Sequence, residues 1–210
     1  MVTAVVDGYT VEVRQTLVFK NDSQDTLRSI VLNDWNNAYS GKDTPLAKRF
    51  SDEFVRSFYR AKDEERGYTS LHSVKNANDE ILAWVRSKEH PDLIEIGTGQ
   101  ILPGQEITLS LLYDIKLPSD RFTGYGYDNR GNMRLKDCFL VPARYAEHRF
   151  ARYSNSNLDD SANGISGYQI TLFVPGSRKV VSDLEEEAQW ASGMTAWLNQ
   201  LSCGALEESA

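Results

Sequence analysis

The sequence predicts a mainly β protein, an antiparallel β-sandwich with one inserted helix. Three observations carry this. Apolar residues alternate with period two in several segments, the mark of half-buried antiparallel strands. Gly, Pro and Asx-rich turns bound those segments. Only one stretch shows a clean four-residue apolar period, and it lies between strands.

Residues 9–20 (YTVEVRQTLVFK) place Val11, Val13, Leu17 and Phe19 on one face and mostly polar residues on the other. The polar run 21–25 (NDSQD) reads as a turn, and 26–33 (TLRSIVLN) as a strand returning to form a hairpin. Residues 106–117 give the clearest strand: Ile107, Leu109, Leu111, Tyr113, Ile115 and Leu117 alternate without a break. Pro103-Gly104 supplies the turn before it and Pro118 ends it. Residues 167–174 form a further strand closed by Pro175-Gly176, with shorter strands predicted at 80–85 and 92–96. Residues 137–141 and 148–153 carry weaker strand patterns.

The helix is predicted over 45–62. Thr44 suits the N-cap and Pro45 the first helical position. Leu46, Phe50, Phe54 and Phe58 then form an apolar stripe that packs the helix on a sheet. From residue 184 the alternation stops, and 184–210 reads as a helical tail behind a β-sandwich domain spanning 1–183.

A length of 210 residues, 40% of them hydrophobic, suffices for a sizeable core. The net charge of −7 argues against a nucleic-acid partner, which calls for a basic surface. No apolar run approaches the length of a membrane span, and Met1 runs into VTAVVDGYTVEV without a charged-then-apolar leader. The compartment is left unassigned. Cys138 and Cys203 stand far apart and read as free, partly buried thiols.

Catalytic motifs are missing. No His-Glu-x-x-His occurs, and His72, His90 and His148 are nowhere paired at helical spacing, so no metal ligands are assigned. There is no Gly-x-Ser-x-Gly elbow. Residues 159–164 (DDSANG) start like a calcium loop, but the twelfth position is Ile170 instead of a bidentate Glu, so a polar turn is the reading.

An ordered series of segments resembles a known family. LNDWNNAYS (32–40), TPLAKRFSDEF (44–54), AKDEERGY (61–68), LPGQEITLSLLYDIKLP (102–118), DCFLVPARY (137–145) and GYQITLFVPGSRKVVSD (167–183) are together similar to the N-terminal domain of aminopeptidase-N-like gluzincins, especially the Bacteroidetes-type enzymes. The resemblance implies a saddle-like β-sandwich that shapes a substrate cleft and packs on a catalytic domain. That catalytic domain, and the zinc it holds, would lie outside these 210 residues, and no activity is expected of this chain alone.

The resemblance also singles out the loop 119–137 (SDRFTGYGYDNRGNMRLKD), whose family counterpart approaches the cleft. Tyr127, Asp128 and Asp137 are its substrate-proximal candidates, against the plainer reading of a solvated turn. The alternative function is a stand-alone binding module for carbohydrate or peptide. It requires Trp35, Tyr39, Tyr125 and Tyr127 to form an exposed aromatic platform, whereas a packed cluster beneath the helix is the simpler outcome.

Overall fold

A computed structural model describes residues 1–152, 162–164, 166–175, 180–181, 185–191 and 194–202, the last two stretches by their backbone. The chain is mainly β, as its alternation demands. In order the strands are β1 (Val2–Asp7), β2 (Thr10–Lys20), β3 (Leu27–Asn33), β4 (Tyr68–Asn76), β5 (Trp84–Val85), β6 (Leu93–Ile101) and β7 (Glu106–Lys116). Four short pieces, β8 (Gly126–Tyr127), β9 (Met133–Arg134), β10 (Val141–Pro142) and β11 (Tyr145–Ala146), precede β12 (Arg149–Phe150). Then come β13 (Gly167–Pro175), β14 (Glu185–Ala191) and β15 (Met194–Ser202).

Among the described residues a seven-stranded sheet has the order β14-β15-β13-β1-β2-β7-β4, and a four-stranded sheet the order β10-β3-β6-β5. One hydrophobic cluster draws on both: Val11, Val13, Leu109 and Ile115 from the larger, Ile30, Leu32, Ile94 and Ile96 from the smaller. This common core makes the pair a sandwich. A buried polar clip also spans it. Gln15 accepts from the Tyr113 hydroxyl at 2.6 Å and donates to the Leu140 carbonyl at 2.8 Å, while the Leu140 N–H donates to the Tyr113 oxygen at 3.2 Å.

Several expectations need correction. The stretches 9–20 and 26–33 do not form a hairpin. β2 pairs with β1 and β7, and β3 pairs with β6 and β10 in the other sheet. The 21–26 segment is a crossover, held by buried Asn21, whose Nδ2 donates to the carbonyls of Asp25 and Ile101 and whose Oδ1 accepts from Ser23. Period two reports that a strand is half-buried and says nothing about which strand it pairs with.

The tail is not helical over its described residues. β14 and β15 are antiparallel strands, and β15 adds to the seven-stranded sheet beside β13. The loose apolar spacing of 185–202 suggests a helix because strict alternation is lost there; residues 203–210 lie outside the described part, as do residues 159–161 of the calcium-like turn. At 80–85 only Trp84–Val85 is a strand; at 137–141 only Val141 belongs to one, and among the described residues of 148–153 only Arg149–Phe150.

The helix α1 is Pro45–Asp52, shorter than the predicted 45–62. Its start follows the sequence: Thr44 Oγ1 accepts from the Ala47 N–H at 3.2 Å, with Pro45 in the first turn. Its end does not. The Val55 N–H donates to the Phe50 carbonyl at 2.7 Å and the Phe54 N–H to the Ser51 carbonyl at 3.1 Å. That paired closure is a Schellman motif, and its left-handed position is filled by Phe54 at φ 61°. Leu46, Phe50 and Phe58 are buried as the stripe predicts, but Phe54 is 84% exposed.

Under α1, the segment Trp35–Tyr39 forms a 3₁₀ helix rather than a strand end, and all five of its residues are buried. Phe58 sits at the hub of an aromatic cluster, with ring centroids 5.3 Å from Phe50, 4.9 Å from Phe122 and 6.1 Å from Tyr39.

Candidate functional site

The residues of the 119–137 loop are organised by the end of β7. Lys116 Nζ donates to the carbonyls of Asp63, Glu64 and Arg66 at 3.1, 2.7 and 2.8 Å. One ammonium thus gathers the acidic turn 63–65 against the sheet. Partial burial lowers the Lys116 pKa, with Glu64 and Asp63 opposing the shift. The Ser119 N–H donates to the Glu65 carbonyl, and the Glu65 carboxylate accepts from the Lys62 N–H at 2.9 Å and pairs with Arg121 at 2.9 Å. An open depression of about 560 Å³ results, lined by Ser57, Arg60, Lys62, Glu64, Glu65 and Arg121.

Tyr127 does not line this depression but bonds to one residue that does, Glu64. Its hydroxyl donates to the Glu64 carbonyl at 3.2 Å, and its ring stacks on Tyr9 with centroids 3.9 Å apart and planes at 13°. Desolvation raises its phenol pKa, with the Glu65 charge adding to the effect. The preceding Gly126 makes this placement possible. At φ 109° it lets the chain pass so close to Pro118 that a Cβ would lie 1.9 Å from the Pro118 oxygen. The Tyr127 N–H donates to that same oxygen at 2.9 Å.

Asp128 has a local task. Its carboxylate accepts from the N–H groups of Arg130 and Asn132, each at 2.8 Å, and from Asn132 Nδ2 at 2.7 Å, closing the β8–β9 turn. The Asn132 side chain is the main cause of its lowered pKa. Asp137 is exposed, at φ 54°, directly before buried Cys138. Burial pushes the Cys138 thiol pKa far up. Tyr127 and Asp128 are therefore neighbours on one hairpin, and no hydrogen bond among the described residues joins Asp137 to them.

A buried polar cluster lies beneath the 3₁₀ helix, in the aromatic-Asn run Trp35-Asn36-Asn37-Ala38-Tyr39 whose packing under the helix is the simpler expectation; Asp34, Thr69 and Arg86 are its members outside that run. Asp34 is 1% exposed, and its carboxylate accepts from Thr69 Oγ1 at 2.7 Å, the Asn37 N–H at 3.2 Å and Arg86 at 2.6 Å. Asn36 donates to Thr69 and to the Lys116 carbonyl and accepts from the Tyr125 hydroxyl at 2.8 Å. The run Asp34-Trp35-Asn36-Asn37 was a visible signal of polar work, whereas Arg86, 52 residues away, carried none.

Among the described residues, no group of three or more His, Cys, Asp or Glu side chains could hold a metal ion. His72 faces Asp114 at 2.8 Å and His148 faces Asp25 at 2.8 Å, each with a single carboxylate. No described helix is long and apolar enough to cross a membrane.

No family model and no curated protein matches the chain. Solved structures do. A mutant of the M1 zinc metallopeptidase from Deinococcus radiodurans matches with a TM-score of 0.51 and 13% identity, over 95% of this chain and 37% of that one. A two-domain M1 zinc metallopeptidase mutant bound to L-arginine matches with a TM-score of 0.52, 13% identity and the same two coverages. The non-mutant Deinococcus enzyme gives 0.50 and 14%. The chain spans little more than a third of the length of the structures it matches, and its fold is that of a portion of an M1 zinc metallopeptidase.

Proposed function

We propose that the chain is the non-catalytic N-terminal domain of an aminopeptidase-N-like zinc metallopeptidase. In this reading it shapes the substrate cleft and packs on a catalytic domain that carries the zinc. The observation that carries the proposal is the pair of coverages: 95% of this chain superposes on 37% of an M1 metallopeptidase chain. The order of segments in the sequence supports the same reading. The loop residues Tyr127, Asp128 and Asp137 are proposed to lie on the cleft side, with Tyr127 the best placed because its hydroxyl bonds to Glu64 on the wall of the open depression.

The binding-module alternative loses most of its platform. Trp35, Tyr39 and Tyr125 are 5%, 4% and 9% exposed, so only Tyr127 of the four offers part of a face to solvent.

The natural coding sequence around this chain provides the test. A His-Glu-x-x-His motif followed by a downstream Glu in the same polypeptide is the expected finding. That polypeptide should hydrolyse an aminoacyl-anilide in a chelator-sensitive way, and the 210-residue chain should not. Chelator-sensitive turnover by this chain alone would sink the proposal.

A further inference from the structure

We infer that the surface around Phe54 is the seat against which the remainder of the metallopeptidase docks. This rests on the reading of the chain as one portion of a longer enzyme, and it deepens that reading by naming the contact.

Three independent observations converge on Phe54. First, its backbone is left-handed at φ 61°, at the Schellman position where glycine is the usual residue. A bulky side chain there is strained. Second, the strain gives the isolated chain no packing in return, because the ring is 84% exposed while Phe50 and Phe58 on either side of it are buried. Strain retained at an exposed aromatic is the pattern of a residue whose partner lies elsewhere.

Third, the surroundings have the composition of an interface. Tyr59 is 61% exposed with Lys42 over its ring, and Val55, Arg56 and Arg60 are exposed beside it. Neither Arg56 nor Arg60 makes an ion pair among the described residues. Exposed Phe, Tyr and Arg close together along residues 54–60 match the groups enriched at the centres of protein interfaces. Arg60, at the end of this stretch, also lines the open depression, together with Arg121, Glu64 and Glu65.

Charge gives the partner's chemistry. Residues 42–62 hold six cationic side chains and three anionic ones, bounded on the far side by the acidic turn 63–65, in a chain whose net charge is −7. A basic, aromatic island on an acidic body is repelled less by a carboxylate-rimmed apolar hollow than by another basic face, so the docking partner is an acidic, hollowed surface. The matched M1 chains extend well beyond the 37% that this chain covers, and the additional portion of such an enzyme is the occupant to which the inference commits.

The test uses the full-length natural polypeptide with a benzophenone amino acid at position 54. Irradiation should give an intramolecular cross-link into the zinc-bearing portion, mapped by peptide mass spectrometry. The same probe at Val18, exposed on β2, serves as the control and should give several-fold less. Cross-links from position 54 that join two copies, or none above the Val18 control, overturn the docking surface while leaving the family reading intact. A natural polypeptide without a zinc-bearing portion overturns both.

Discussion

Arg86 donates to the buried carboxylate of Asp34 at 2.6 Å, joining the 34–39 segment to the loop that follows β5. The same guanidinium donates to the Pro91 carbonyl, which also accepts from Asn37 Nδ2 at 2.6 Å. Arg86→Ala leaves the Asp34 charge buried with only neutral donors. Removal of one partner from such a pair costs about 3–5 kcal/mol. Chemical denaturation should show a loss of that order; a change within the error of the wild type would mean that Thr69 and the Asn37 N–H suffice for the charge.

The pair also marks where the sequence ceases to be legible. Strands such as β2 and β7 announce themselves because each alternates strictly and turns bound it. Their pairing partners do not, since alternation is a property of one strand and pairing a property of two. So the crossover at Asn21 has the sequence of a hairpin turn: Asn is common in turns, and its hydrogen bond to the Ile101 carbonyl, 80 residues away, leaves no local trace. The helix start was legible through Thr44 and Pro45, but its end was not, because the apolar stripe continues to Phe58 through a residue that the backbone turns outward. Among the candidate site residues, Asp128 has the Asx-turn chemistry that its neighbours Asn132 and Gly131 suggest. The stacking of Tyr127 on Tyr9 depends on a contact across 118 positions of chain.

Gly126 controls that stack. Gly126→Ala would force a Cβ to within 1.9 Å of the Pro118 oxygen, at a φ that L residues rarely adopt. The loop must move away, breaking the Tyr127 N–H bond to Pro118 and separating the two rings. The expected result is a loss of about 1–3 kcal/mol in unfolding free energy, with altered near-ultraviolet dichroism from the tyrosines. Gly124→Ala provides the comparison, since its positive φ carries strain but no atom lies within 4 Å of the added carbon. Equal effects from both substitutions would show that close approach to Pro118 is not what fixes Tyr127.

Phe54→Gly should stabilise this chain. The substitution relieves the left-handed strain of a bulky residue, part of which is offset by the freedom glycine gains when unfolded. A net gain of about 1 kcal/mol is expected, which for a chain of this size raises the midpoint of thermal unfolding by roughly 2–4 °C. Phe58→Ala, two turns of the predicted stripe away from Phe50, has the opposite expectation, because its ring is fully buried at the aromatic hub: a loss of about 3–5 kcal/mol. Differential scanning calorimetry distinguishes them directly, and a destabilised Phe54→Gly variant would mean that the exposed ring makes contacts worth more than its strain.

Asp25 ties the β11–β12 hairpin to the crossover. Its carboxylate accepts from the Tyr145 hydroxyl at 2.7 Å and lies 2.8 Å from His148 Nδ1. The hairpin turn needs this anchor, because Glu147 and His148 both have positive φ where Asn-Gly is the favoured pair. The Tyr145 hydrogen bond, followed by that of His148, lowers the Asp25 pKa in the folded chain from its ordinary value of 3.8. A depressed carboxylate contributes stability that is fully present above its unfolded pKa and is lost as pH falls through the folded one. Hydrogen exchange at Ala146 and Arg149, followed from pH 6 down through the acidic range below about 4, should show the hairpin opening faster than its intrinsic acid dependence allows. Asp25→Asn retains an acceptor for Tyr145 but cannot titrate, so its exchange profile should lose that extra acid step. An identical step in the variant would assign the opening to another carboxylate.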